Sequence, residues 1–299
     1  MKTEDLPLAG AAPAATEQEA WQAPARKPVN LRAFTRRHVV LILSLPFLLF
    51  LSVPIAALFF RLTPAEFLRS LDLAQVRQAV GLSLFTSLVT VAVTVVFGTP
   101  VAYLIHRRRS RLTRLLDSLI DLPTVLPPAV AGVALLLAFG RRGVFGGWLD
   151  ALGVQVPFTA LAVILAQTFI AAPLYIKSAA LGFAGVPCEL KKAGALDGAN
   201  RWQVFRYIMV PMSWMSMLSG AVMTWARSLG EFGATIIFAG NFPGRTQTMP
   251  LAIYLGFELD LQVAITLAIV LIGFSFVTLV LVKSLLHEHL AEPTPEDYD

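Results

Sequence analysis

The sequence holds a single cysteine, Cys188, so no disulfide can close within the chain. Charged residues make up only 14% of it, where soluble domains run near a quarter. No stretch reads G-x-x-x-x-G-K-[ST], the loop that cradles nucleotide phosphates, so this chain cannot supply its own ATP hydrolysis. The glycines between 143 and 147 fall in a loop between apolar runs, not between a strand and a helix, which excludes a dinucleotide fingerprint. The four histidines, His38, His106, His287 and His289, are too few and too scattered for a structural zinc site. No Ser-His-Asp or Cys-His set can be assembled, which argues against a membrane-embedded enzyme. No cofactor or metal is expected. The net charge is +5, yet no soluble basic face exists to bind nucleic acid.

What is present is apolar. Hydrophobic residues make up 56% of the chain, and the mean hydropathy is +0.69. A hydrocarbon core about 30 Å thick needs roughly 20 apolar helical residues. Six runs meet that need: 39–60, 80–105, 115–139, 158–182, 207–238 and 261–286. The expected fold is all-α integral membrane, with six transmembrane helices. Short loops on the cytoplasmic side carry excess Lys and Arg. Here the segments before the first run, between the second and third, and between the fourth and fifth hold 14 such residues, against 6 in the alternate loops. Both termini are therefore expected in the cytoplasm. Residues 1–37 read as a disordered cytoplasmic tail and 38–78 as the first span with its outer loop. The core runs over 79–287, and 288–299 form an acidic cytoplasmic tail.

The loop between the fourth and fifth runs, 186–206, is the most informative. Glu189 to Leu196 can form two helical turns. Asp197-Gly198 then breaks the helix, because Gly tolerates the left-handed backbone at a helix end. Asn200 can cap a second short helix entering at Arg201. Two short helices at an angle would offer a partner a compact knob, apolar and basic. An amphipathic loop on the membrane surface is the alternative.

The spacing resembles the signature of ABC importer permeases: Glu-Ala-Ala, three residues, Gly, nine residues, Ile, one residue, Leu-Pro. Gly198, Ile208 and Pro211 stand in register. Lys192-Ala193-Gly194 occupies the place of Glu-Ala-Ala, with Glu189 three residues upstream of Lys192, and Val210 replaces Leu. The stretches DLPTVLPPAVAG (121–132) and LGEFGATIIFAGNFPGRTQTMPLAIY (229–254) are similar to molybdate permeases, with sulfate permeases as near relatives. The resemblance covers about 80–283. It implies the type I importer permease fold in the inner membrane, working as a homodimer with the pathway on its two-fold axis. It implies two copies of an ABC ATPase subunit below and a periplasmic oxyanion-binding protein above. Glu189, Lys192, Ala193, Gly198, Ile208 and Pro211 would then couple the chain to the ATPase.

Other residues are candidates for the pathway or the interior. Pro123, Pro127 and Pro128 remove helix donors and force kinks. Such backbone is tolerated only against protein or a water-lined cavity. Arg227 and Glu231 stand four residues apart on one predicted helix, about 24 Å from Pro211 at ~1.5 Å per residue. They can pair with each other or touch substrate. Asn241, Arg245, Thr246 and Thr248 offer donors in an outer loop, for an oxyanion, for a binding protein, or only for solvent. An ion-coupled secondary transporter would need an acid alone at mid-membrane. Asp117 and Asp121 lie near the cytoplasmic border and Glu231 has a basic neighbour, so none remains. Selectivity among molybdate, tungstate, sulfate and thiosulfate is left open by the residues.

Overall fold

The computed structural model describes the backbone of residues 31–107 and 111–290, and side chains from 42 to 106 and 111 to 284. Residues 1–30 and 291–299 of the expected tails, with Arg26, Lys27, Arg108 and Arg109, lie outside the described residues, while 31–37 and 288–290, expected as tail, belong to helices. Thirteen helices are described: α1 Leu31–Phe60, α2 Pro64–Leu71, α3 Ala74–Arg107, α4 Arg111–Val125, α5 Pro128–Phe139, α6 Gly146–Ala151 and α7 Ala160–Gly185. They continue with α8 Cys188–Leu196, α9 Arg201–Val204, α10 Val210–Leu229, α11 Gly233–Phe238, α12 Met249–Leu259 and α13 Leu261–Leu290. No strand occurs among the described residues. Residues Met1–Val53 form one unit and Pro54–Asp299 another; the packing described below belongs to the second.

Four helices are long and apolar enough to cross a membrane: α1, α3, α7 and α13. The bent pair α4 and α5 brings the number to five if it forms one span. The sequence pattern predicted six. Two of the predicted runs are not single helices, and both breaks have local causes.

The run 115–139 is divided at Leu126-Pro127, where α4 and α5 meet at a bend of 116°. Pro127 stands before the first turn of α5 and Pro128 within it, the positions where a missing N–H does no harm. Pro123 lies buried inside α4.

The run 207–238 is divided at Gly230. There α10 ends, and α11 restarts three residues later. At the other end α10 follows a π-helical turn, Phe205–Met209, in which Val210 N donates to Phe205 O. Pro211 explains the wide turn: its ring would clash with the carbonyl four residues back in an α-helix.

The helix α7 is central. Half of its span is buried, against 28% for α3 and 22% for α13. Apolar burial between helices supplies little driving force in lipid, so close contact depends on small residues and interhelical hydrogen bonds. Both are present. A Cβ on Gly220 of α10 would lie 2.7 Å from Ser178 Cβ of α7, and one on Gly182 2.7 Å from Ser216 Cβ. Ser178 Oγ donates to Ser216 O at 2.6 Å. Thr90 Oγ1 donates to Gln167 Oε1 at 3.1 Å, and Trp225 Nε1 to Ser87 Oγ at 3.0 Å. The bent α5 packs on α11 the same way: a Cβ on Gly132 would lie 2.8 Å from Ala234 O. Ala131, Leu135, Val163, Ala166, Ala234 and Phe238 fill that junction.

Candidate functional site

Two regions at opposite ends of α7 carry the candidate residues. The loop 186–206 follows its last turn. Here α8 and α9 form as the sequence predicts, and Gly198 between them has φ +87°, the left-handed region that a Cβ disfavours. Asn200 Oδ1 accepts from Gln203 N at 2.9 Å, and Gln203 Oε1 accepts from Asn200 N at 2.7 Å. This reciprocal box fixes the start of α9.

No residue of α8 is buried. Leu196 is 88% exposed and Leu190 43%. Glu189, Lys192 and Ala193 also face outward. An isolated helix this short has no stability of its own, so something must hold α8. Gly194 does so: Ile208 Cδ1 lies 2.6 Å from where its Cβ would stand. The glycine in the third place of the signature makes room for the isoleucine of that signature.

A second device was not legible in the sequence. Phe205 stacks 4.8 Å from Tyr103 of α3, 5.7 Å from Phe183 of α7 and 5.5 Å from Trp202 of α9. Ring contacts of this kind resist shear. They tie the α8–α9 knob to two spans at once. Tyr103 and Phe183 lie 102 and 22 residues from Phe205, so no local pattern reveals those two contacts.

Near this end of α7, Lys177 Nζ lies 2.5 Å from Asp117 Oδ1 and 2.9 Å from Asp121 Oδ2 of α4. All three are part-exposed, so each pair contributes at most about 1 kcal/mol. The sequence placed the two acids at the cytoplasmic border but gave no sign of their lysine. The bridge holds α4 beside α7, upstream of its 116° bend.

At the far end of α10, Arg227 Nη1 lies 2.9 Å from Glu231 Oε2. The expectation of a pair on one helix face needs correction, because α10 ends at Leu229. Glu231 sits in the break, 1% exposed, and its Oε1 accepts from Ala234 N at 2.9 Å. One carboxylate therefore joins the last turn of α10 to the first turn of α11. A buried charge is tolerable when paired and hydrogen-bonded at once.

The other end of α7 opens on a cavity of about 480 Å3, lined by Arg141, Gln155, Phe158, Thr159, Phe242 and Arg245 among others. With ~1.5 Å per residue, the 26 residues of α7 separate it from α8 by about 39 Å. Phe158 has φ +62°, a costly conformation without glycine, and its ring meets Phe242 edge-on at 6.0 Å. Among the described residues no carboxylate pairs with Arg141 or Arg245.

The loop donors expected beside Arg245 are a correction. Thr246 and Thr248 are fully buried. Thr246 Oγ1 accepts from Phe242 N at 3.0 Å, and Asn241 Nδ2 donates to Leu251 O at 3.3 Å. These three build the turn, and only Arg245 reaches the cavity. Its partner there, Arg141, lies about a hundred residues earlier in the chain.

The family model described as "Binding-protein-dependent transport system inner membrane component" matches residues 94–290. The chain belongs to this family. The matched segment of this inner membrane component takes in both ends of α7, the bent pair and the α8–α9 knob. The chain is similar to the "Probable transport system permease protein NifC" of Clostridium pasteurianum, 44% identical over 68% of this chain and 71% of that one. It is also similar to the "Molybdenum transport system permease protein ModB" of Mycobacterium bovis, 39% identical over 75% of this chain and 85% of that one. A bacterial alginate ABC transporter, crystallised with its alginate-bound periplasmic protein, shares the fold at TM-score 0.66 and 18% identity, covering 86% of this chain and 94% of that one.

Proposed function

We propose that this inner membrane component is the permease subunit of an ATP-driven importer that moves an oxyanion, molybdate or tungstate, into the cytoplasm. The observation that carries the coupling half of the reading is α8, a helix with no buried residue held on the spans by Gly194, Ile208 and the Phe205 cluster. Exposed apolar residues on a rigid mount suit burial in a partner. The partner is an ATPase subunit, because the chain has no phosphate loop of its own. Molybdate rests on the relatives named as molybdenum transport permeases. Two copies of this chain, two ATPase subunits and a periplasmic oxyanion-binding protein complete the assembly within the lipid bilayer. Sulfate or thiosulfate, the alternative cargo, has the same shape and charge as molybdate and differs in size.

In this reading ATP-driven movement of the ATPase displaces α8 and α9 as one piece. Phe205 passes the displacement to α3 and to α7, whose far end borders the arginine cavity. Packed helices move as rigid bodies rather than bend continuously. Glu231 keeps α10 and α11 together during that movement. The decisive experiment is uptake by vesicles containing the chain, its ATPase and its binding protein. Molybdate uptake should require ATP and resist excess sulfate. Uptake driven by an ion gradient without ATP overturns the reading, and stronger competition by sulfate than by tungstate reassigns the cargo.

Six spans with both termini inside belong to the same proposal, with α10 as the span that polar residues disguise. In a Cys188→Ser background, cysteine at Arg109 should be protected from an impermeant reagent outside the cell and cysteine at Gly244 should be labelled. The reverse pattern sinks the topology.

Arg141 and Arg245 are proposed to receive acidic side chains of the binding protein. Charges at an interface rim act mainly on encounter rate. Arg141→Glu with Arg245→Glu should slow association at least about tenfold at low salt, and less at high salt, in surface plasmon resonance. Unchanged rates would free the arginines for another role.

A further inference from the structure

A second pair of cavities lies at the α8 end of the spans, and neither is used by the mechanism above. One, of about 430 Å3, is lined by Val96, Thr99, Pro100, Tyr103, Arg201, Trp202 and Phe205, and is almost wholly apolar. The other, of about 480 Å3, has His106, Lys191 and Arg201 on its walls. Tyr103 and Arg201 line both, so the two adjoin. No carboxylate lines either.

Their depth relative to the bilayer follows from α3. Its apolar stretch gives way after Ile105 to His106 and the basic run Arg107-Arg108-Arg109, the mark of a cytoplasmic border, which places the basic cavity at the membrane border. Val96 stands ten residues earlier, about 15 Å into the bilayer at ~1.5 Å per residue. That is half of a ~30 Å hydrocarbon core, the depth of one leaflet. Trp202, 67% exposed, stands at the border where tryptophan favours the headgroup layer. An apolar groove one leaflet deep, opening on basic groups that meet no carboxylate among the described residues, matches one class of ligand in shape and charge.

We propose that the two cavities form one site for an anionic phospholipid, with its phosphate between Lys191 and Arg201 and an acyl chain along Val96, Pro100 and Tyr103. Basic recesses between spans recognise anionic headgroups in this way. The site spans α3, α8 and α9, so the bound lipid holds the coupling knob against the span that Phe205 also grips. The membrane's content of anionic lipid thereby adjusts how firmly the knob is seated. The inference goes beyond the importer reading and does not depend on which anion is carried.

The test uses the delipidated full-length chain in detergent, with native mass spectrometry of added phosphatidylglycerol or phosphatidylcholine bearing the same acyl chains. Phosphatidylglycerol should bind more tightly. A basic residue near an anionic headgroup is worth about fivefold in affinity. Lys191→Gln with Arg201→Gln should therefore weaken phosphatidylglycerol about 25-fold and phosphatidylcholine, whose choline cation offsets its phosphate, by much less. Lys191→Arg with Arg201→Lys should restore binding, which separates charge loss from misfolding. Val96→Trp should weaken both lipids by filling the groove. Equal binding of the two lipids by the parent, or undiminished phosphatidylglycerol binding by the glutamine pair, overturns the proposal. If inorganic phosphate alone displaces the lipid and Val96→Trp has no effect, the site takes a free anion instead. If the glutamine pair keeps the lipid but loses the ATPase subunit, the basic cavity receives an acidic side chain of that subunit.

Discussion

Gly198→Val should leave the protein inserted and abundant, weaken its association with the ATPase, and abolish ATP-driven uptake. A Cβ at Gly198 would meet nothing within 4 Å, so the substitution clashes with no neighbour. The cost is in the backbone. At φ +87° a β-branched residue is strained by about 1–2 kcal/mol. The exposed loop relieves that strain by leaving the left-handed region, since only the Gly194–Ile208 contact opposes it and no residue of α8 is buried. Rotation at this one residue swings α8 away from the line set by the α9 capping box. The spans fold without α8, so yield and melting temperature should stay near those of the parent. Gly198→Asn is the control, because Asn tolerates the left-handed region. It should keep most co-purification and most uptake. A Gly198→Val complex that assembles and transports like the parent would replace the coupling role with that of a surface loop.

Loss of the Glu231 carboxylate should destabilise the junction of α10 and α11 severely. Glu231→Ala removes the acceptor of Ala234 N and the partner of Arg227 together. An orphaned buried N–H costs about 1–3 kcal/mol. Arg227 is 39% exposed and partly hydrated, so its loss of partner adds at most about 1 kcal/mol. The sum is roughly 2–4 kcal/mol, enough to lower the yield of folded protein several-fold. Arg227→Ala leaves a carboxylate buried without its counter-charge, which is also severe.

The two duties of Glu231 distinguish the double variants. Arg227→Ala with Glu231→Gln removes both charges and keeps an oxygen for Ala234 N. It should recover more protein than Arg227→Ala with Glu231→Ala, which leaves that N–H bare. Fluorescence-detected size-exclusion yield and melting temperature measure both. Single variants as abundant as the parent but inactive in transport would instead assign the pair to direct contact with the anion.

The coupling loop was legible because its information is local. Gly198, Asn200 and the helix limits around them follow from backbone sterics and capping, which act over four or five residues. The spans α1, α3, α7 and α13 were legible because about 20 apolar residues in a row have few alternatives to a membrane helix. The break at 126–127 was foreshadowed by its prolines. Pro123 does not end its helix, since a proline can bend a helix without breaking it. The run 207–238 looked continuous because hydropathy registers apolar content and not helix ends. Gly230 and the buried Glu231 divide it.

Sequence alone therefore determined that the chain is helical, built for a membrane, without a phosphate-binding loop, and equipped with a two-helix loop hinged at Gly198. These follow from composition and from interactions between near neighbours. The tertiary structure decided which distant groups meet. Lys177 meets Asp117 and Asp121 across 60 and 56 residues, Phe205 seats the knob on Tyr103 and Phe183, and Arg141 shares a cavity with Arg245. It also turned Thr246 and Thr248 inward. The physical reason is that spacing along the chain fixes backbone geometry over a few residues, while partners this far apart are brought together only by helix packing, here by glycines and serines that let α7 and α10 approach to contact distance.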